Sequence, residues 1–155
     1  MIRHLSSFFL VVGLTSSAGA LAGSDTDAIE QTIRAAAQAA ATFSDTRDQQ
    51  AVLGLYAEDY EGIQDGQAED KEAIRKWLGE YEAELQRGSG LRFIGAVSNL
   101  KITLSGSFAW AAYDYLFQAV RNGELEGQDR GKCTSLLRKD AAHWVIFHEH
   151  CSKAR

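Results

Sequence analysis

The chain has 155 residues, 45% hydrophobic and 24% charged, which suits one soluble domain with a modest core. Its formal charge is -5, and its lysines and arginines are scattered without a run. That excludes a nucleic-acid footprint and a basic membrane-surface helix, both of which need clustered positive charge.

The first 22 residues read as a secretory leader. Arg3 and His4 supply a short positive start, and Leu5 to Leu14 is mostly apolar, too short to span a bilayer. Ala18-Gly19-Ala20 and Ala20-Leu21-Ala22 both fit a small-residue cleavage pattern. Cleavage after Ala22 is the preferred reading and after Ala20 the alternative; a retained N-terminal anchor is the competing one. The expectation is therefore a leader over 1–22, a domain over 23–155, and a periplasmic or secreted protein free of the membrane after cleavage. No Cys follows the apolar run, so lipid attachment at a new N-terminal Cys is not available.

The mature chain opens on a predicted helix from Asp25 to about Phe43, capped by Ser24 or Asp25, with Ile29, Ile33, Ala36, Ala37 and Ala40 on one face. Ser44-Asp45-Thr46 breaks it, and a second helix is predicted over Arg47 to Ala57. Asp59 to Asp65 is extended and closes on the Asp65-Gly66 turn. A third helix spans about Glu69 to Gln86, with Ile74, Trp77, Leu78, Tyr81 and Leu85 as its apolar stripe. Everything after Gly90 reads as strand: Leu91 to Val97 and Leu100 to Leu104 about a bulge at Ser98-Asn99, Phe108 to Val120, Leu125 to Lys139, and His143 to Ser152. Ser105-Gly106-Ser107, Asn122-Gly123 and Asp140-Ala141-Ala142 supply the turns. Three helices followed by a curved antiparallel sheet make an α+β domain.

Several segments carry a family resemblance. Leu55-Tyr56-Ala57-Glu58-Asp59 resembles the end of the second helix, and Asp70-Lys71-Glu72-Ala73-Ile74-Arg75 the opening of the third, in the nuclear transport factor 2-like superfamily. Gly131-Lys132-Cys133-Thr134 resembles the GRxT segment of SnoaL-like domains, with Lys132 replacing the usual Arg. Trp144 to Ser152 resembles their last strand, WkIxHxHxS, an ending shared with the association domain of calcium/calmodulin-dependent protein kinase II. The resemblance implies a cone-like α+β barrel with one deep pocket, and dimerisation through the outer sheet face. Members of this fold serve as isomerases, dehydratases, cyclases, carriers and assembly domains, so function has to be argued from the site.

Period-2 alternation places Trp144, Ile146, His148, His150 and Ser152 on one face of the last strand, and Val145, Phe147, Glu149 and Cys151 on the other. Folding the hairpin about Ala142 sets Cys133 opposite Cys151 and Ser135 opposite Glu149. A cross-strand disulfide is the preferred reading; two free thiols, or a register one residue off, stay open. In the kinase association domain the positions matching Tyr115, Ser135 and Cys151 look inward and carry arginines. The resemblance thus implies a pocket lined by Tyr113, Tyr115, Phe117, Ser135 and Glu149, with Tyr56 and Trp77 from the helices and no anion-binding arginines.

Such a pocket suits a small, flat or apolar ligand. Two functions are expected of it. One is binding without turnover. The other is an isomerase, dehydratase or cyclase in which Glu149, its pKa raised by desolvation, acts as general base beside Tyr115 or Tyr113 as hydrogen-bond donor. An inward Glu149 within reach of a tyrosine favours catalysis; one paired to Arg138 or Lys139 favours binding. His148 and His150 form an H-x-H pair for which His143 and Asp114 are the only further ligands in view, so no metal site is expected. No phosphate loop or dinucleotide fingerprint is present, and no cofactor is expected.

Overall fold

A computed structural model describes residues 18–154, with side chains from Asp25 onward; the leader expected over 1–22 lies largely outside them. Helix α1 (Ala18–Thr46) buries Ile29, Ile33, Ala40 and Phe43 on one face. Full burial of an Ile or Phe side chain contributes about 1.5–3 kcal/mol, so this face anchors the helix. Helix α2 is shorter than predicted, Gln49–Leu53. Asp48 caps it by accepting from the Ala51 N–H at 2.9 Å, and Gly54 ends it. The chain then leaves for the sheet, where the Ile146 N–H donates to the Leu55 carbonyl at 2.9 Å. Tyr56 accordingly opens strand β1 (Tyr56–Gln64) and is not a helix residue as expected.

Asp65-Gly66, both at positive φ, turns β1 into β2 (Gln67–Asp70). Asp70 caps α3 (Lys71–Gln86), accepting from the Ala73 N–H at 2.8 Å. Four long strands complete the chain: β3 (Leu91–Ser105), β4 (Phe108–Arg121), β5 (Glu124–Asp140) and β6 (His143–Lys153). The expected bulge in β3 is present, with a register shift between Ser98 and Lys101 and Asn99 at φ 53°.

The curved, open sheet has the order β2-β1-β6-β5-β4-β3. It is antiparallel except where β1 runs parallel to β6, which brings the first strand beside the last. Helix α1 crosses the concave side, where Ile29 and Ile33 pack with Ala109, Ala111, Leu137 and Ile146. The crossing is close at Gly95 of β3: a Cβ there would meet the Ala37 carbonyl oxygen at 1.7 Å. The alanine-rich helix face and this glycine together permit the approach. A second cluster (Phe43, Val52, Leu53, Leu78 and Tyr81) joins the three helices at one end.

The register of the last hairpin contains two departures that cancel. Its turn is the two-residue Ala141-Ala142 between the paired Asp140 and His143, tighter than a fold about Ala142 would give. A bulge at Phe147 then restores the count, with Leu137 opposite Ile146 but Leu136 opposite His148. Cys133 therefore faces Cys151, and Ser135 faces Glu149. The two cysteines form a disulfide, with 4.1 Å between their Cα atoms.

The bulge also corrects the expected faces. A single extra residue reverses side-chain parity. Trp144 and Ile146 do not share the convex face with His148 and His150 but sit in the core, Trp144 only 4% exposed. The Trp144 indole N–H donates to the Asp25 carboxylate of α1 at 3.1 Å.

Candidate functional site

One cross-strand row organises the site. Gly62 of β1 pairs with Glu69 of β2 on one side and with Glu149 of β6 on the other, and the row continues through Ser135 and Ala111. Residues in one row share a face, so Glu69, Glu149 and Ser135 all rise on the concave side. Gly62, with no side chain, leaves room between the two carboxylates for a neighbouring hydroxyl. A Cβ there would come within 2.4 Å of the Tyr60 hydroxyl, which occupies that space and donates to Glu69 Oε1 at 3.4 Å.

Glu149 is held by two hydroxyls. Ser135 Oγ donates to its Oε2 at 2.5 Å and the Tyr113 hydroxyl donates to the same oxygen at 2.8 Å. The two hydroxyl oxygens lie 3.0 Å apart. With Glu149 ionised, both protons point at Oε2; when Glu149 takes a proton, the hydroxyls are free to rotate and bond each other. Oε1 receives no hydrogen bond from the described residues.

Burial pushes the Glu149 pKa above the usual carboxylate range, opposed by the bonds from Ser135 and Tyr113. Glu69 is also pushed up, first by burial and then by the charge of Glu149. Tyr56, Tyr60 and Tyr113 are raised by burial and by the same charge, so they remain protonated donors. Arg138 and Lys139, the two cations considered as ion-pair partners for Glu149, are engaged elsewhere, and the charge of His148 acts on it only as a minor opposing influence. Arg138 forms a two-pronged pair with Asp59 at 2.7 and 2.9 Å, and Lys139 binds Asp25 at 2.6 Å.

These groups open into a cavity of about 430 Å³. Tyr56, Trp77, Tyr113, Tyr115, Phe117 and Glu149 line it, and Trp77 is 36% exposed. Ser135 is fully buried behind Glu149 and does not line the wall. The Tyr115 hydroxyl is buried with no partner in hydrogen-bonding geometry, beside the Gln64 side chain. The disulfide forms part of the wall next to Tyr113.

Glu69, expected at the start of a helix, lies in strand β2. Its signal was available: it follows Asp65-Gly66 by three residues, and a hairpin about that turn pairs it with Gly62. Outside the cavity, His148 and His150 lie on the convex face opposite Leu136 and Thr134. Asp114 is bound to Lys132 and Asn99. Among the described residues, no three His, Cys, Asp or Glu side chains are grouped to hold a metal ion, and no helix is long and apolar enough to cross a membrane.

A concave sheet wrapped on one long helix, with a polar-based apolar cavity, defines the nuclear transport factor 2-like class of α+β domain. Solved structures agree. A protein of unknown function from Mycobacterium tuberculosis superposes with a TM-score of 0.68 at 15% identity, covering 92% of this chain and 79% of that one. A nuclear transport factor 2-like protein with a cystatin-like fold from Novosphingobium aromaticivorans gives 0.65 at 17% identity, covering 91% and 92%. A candidate scytalone dehydratase from the same organism gives 0.66 at 16% identity, covering 86% and 87%. At these identities the likeness concerns the fold alone. The SnoaL-like domain profile matches residues 29–155, and the chain belongs to that family. No curated protein matches the sequence significantly.

Proposed function

We propose that this SnoaL-like domain binds a small, largely apolar molecule in its cone and exchanges a proton with it through Glu149, as an isomerase, dehydratase or cyclase does. One observation carries the reading: Glu149 faces inward with no ion-pair partner among the described residues and is held by the Tyr113 and Ser135 hydroxyls. The carboxylate is oriented through Oε2, which leaves Oε1 to take a proton. Desolvation raises its basicity above that of an ordinary carboxylate. Tyr115, with a buried and unpartnered hydroxyl on the cavity wall, is the donor for an oxygen that gains charge as the proton leaves.

The base-promoted ring opening of 5-nitrobenzisoxazole tests this, because a flat apolar probe then reports proton abstraction from carbon. Wild type should accelerate it over buffer, and Glu149→Gln should lose about 10²–10⁴-fold. Equal rates would remove Glu149 from the chemistry and leave carriage without turnover as the function.

Two further features belong to this reading. The convex face presents Phe108 (54% exposed) and Trp110 (47% exposed) near Phe147, an apolar surface suited to a second copy of the chain. The disulfide fits an oxidising compartment. With the apolar leader it supports export to the periplasm or beyond, and the mature protein should begin at Gly23 by mass spectrometry.

A further inference from the structure

We propose that the ligand carries a protonated amine, and that Glu69 is the ionic anchor that selects it. This rests on the pocket reading above and names the ligand's class.

Among the described residues, the cavity wall includes three carboxylate residues (Glu69, Asp129 and Glu149) and no Lys, Arg or His. Asp129 is balanced by Lys153 at 3.1 Å. Glu69 and Glu149 have no ion-pair partner among the described residues. They flank Gly62 in one row, about 10 Å apart at the backbone across two strand spacings. Side chains rising from one face at that separation reach a single ligand from two points. Two negative charges sharing a desolvated cavity oppose each other, and a cation placed between them favours the ionised form of both.

The remaining wall fits the same cation. Tyr56, Trp77, Tyr113 and Phe117 line the cavity, and aromatic rings attract an ammonium through their quadrupoles while covering an apolar skeleton equally well. The buried Tyr115 hydroxyl supplies one further hydrogen bond for a second polar atom. An acidic ligand meets the opposite: it would bring a third charge of the same sign with nothing to neutralise it. Division of labour follows from the hydrogen bonds. Glu149 is held by two hydroxyls and is poised to move a proton, whereas Glu69 has only the long bond from Tyr60 and is free to pair with a charge.

The test uses three molecules with one skeleton: 1-naphthylmethylamine, 1-naphthalenemethanol and 1-naphthoate, titrated into the mature protein at pH 7 by calorimetry. The amine should bind at least tenfold more tightly than the alcohol, and the naphthoate should not saturate. Glu69→Gln, checked for folding by circular dichroism, should erase the amine's advantage. Alcohol or naphthoate binding as tight as the amine would overturn the proposal while leaving the pocket intact. So would an amine preference that survives Glu69→Gln, since it would reflect only attraction to an acidic surface. If none of the three binds and 5-nitrobenzisoxazole is not turned over, the pocket reading itself falls.

Discussion

Replacing both cysteines with alanine measures what the Cys133–Cys151 link contributes. The bond closes a loop with a sequence separation of 18 across the β5–β6 hairpin. Restricting the unfolded chain by a loop of that size is worth about 3 kcal/mol at 25 °C. For a domain of this length that corresponds to a drop in Tm of roughly 10–15 °C. Both residues are nearly buried, so alanine also removes packed sulfur atoms from the core and the measured loss should not be smaller. The assay is urea and thermal unfolding of the oxidised wild type, the reduced wild type and the double variant. Reduced wild type and double variant should both unfold at lower midpoints, the double variant no higher than the reduced wild type. A midpoint that does not move on reduction, or alkylation of two thiols in the purified protein, would refute the argument. The disulfide also lies in the cavity wall beside Tyr113, so the reduced protein should bind the naphthalene probes more weakly.

Other outcomes follow from the same geometry. A carboxyl whose pKa is raised on folding is protonated in both states at low pH, and there it costs nothing. As pH rises through the unfolded carboxyl's pKa its burial begins to oppose folding, and the penalty is complete above the folded pKa. Glu149→Gln should therefore stabilise the protein at pH 7 relative to wild type, and the difference should vanish as pH falls toward about 4, the unfolded carboxyl's range. The same substitution removes the charge that raises Glu69, so the Glu69 carboxyl should titrate at lower pH in carbon-detected NMR. Gly95→Ala forces a methyl group into the Ala37 backbone and should destabilise by about 1–3 kcal/mol or more in urea unfolding. Trp110→Lys should shift the sedimentation coefficient toward a monomer without a loss of Tm beyond that of dissociation; unchanged sedimentation would discard the convex face as the contact.

Most of the fold was legible in the chain because its signals are local. Asn122-Gly123 and Asp65-Gly66 mark turns through their own backbone preferences. Period-2 burial along β4 follows directly from alternation: Ala109, Ala111 and Tyr113 are inside while Phe108, Trp110 and Ala112 face out. The second helix was overextended because Val52, Leu53, Leu55 and Tyr56 suit a helix as well as a strand. Competition from β6, which hydrogen-bonds the chain from Leu55 onward, is a long-range effect.

The family and the order of elements could be read from residue patterns and motifs, since propensity, turn chemistry and alternation act over a few residues. Which side Trp144 takes, and that Glu69 joins Glu149, were decided by the assembled sheet. The Phe147 bulge reverses parity within one strand, and the parallel docking of β1 on β6 places Gly62 between two glutamates 80 residues apart in sequence. Such pairings depend on contacts between distant segments, and only the folded chain makes them.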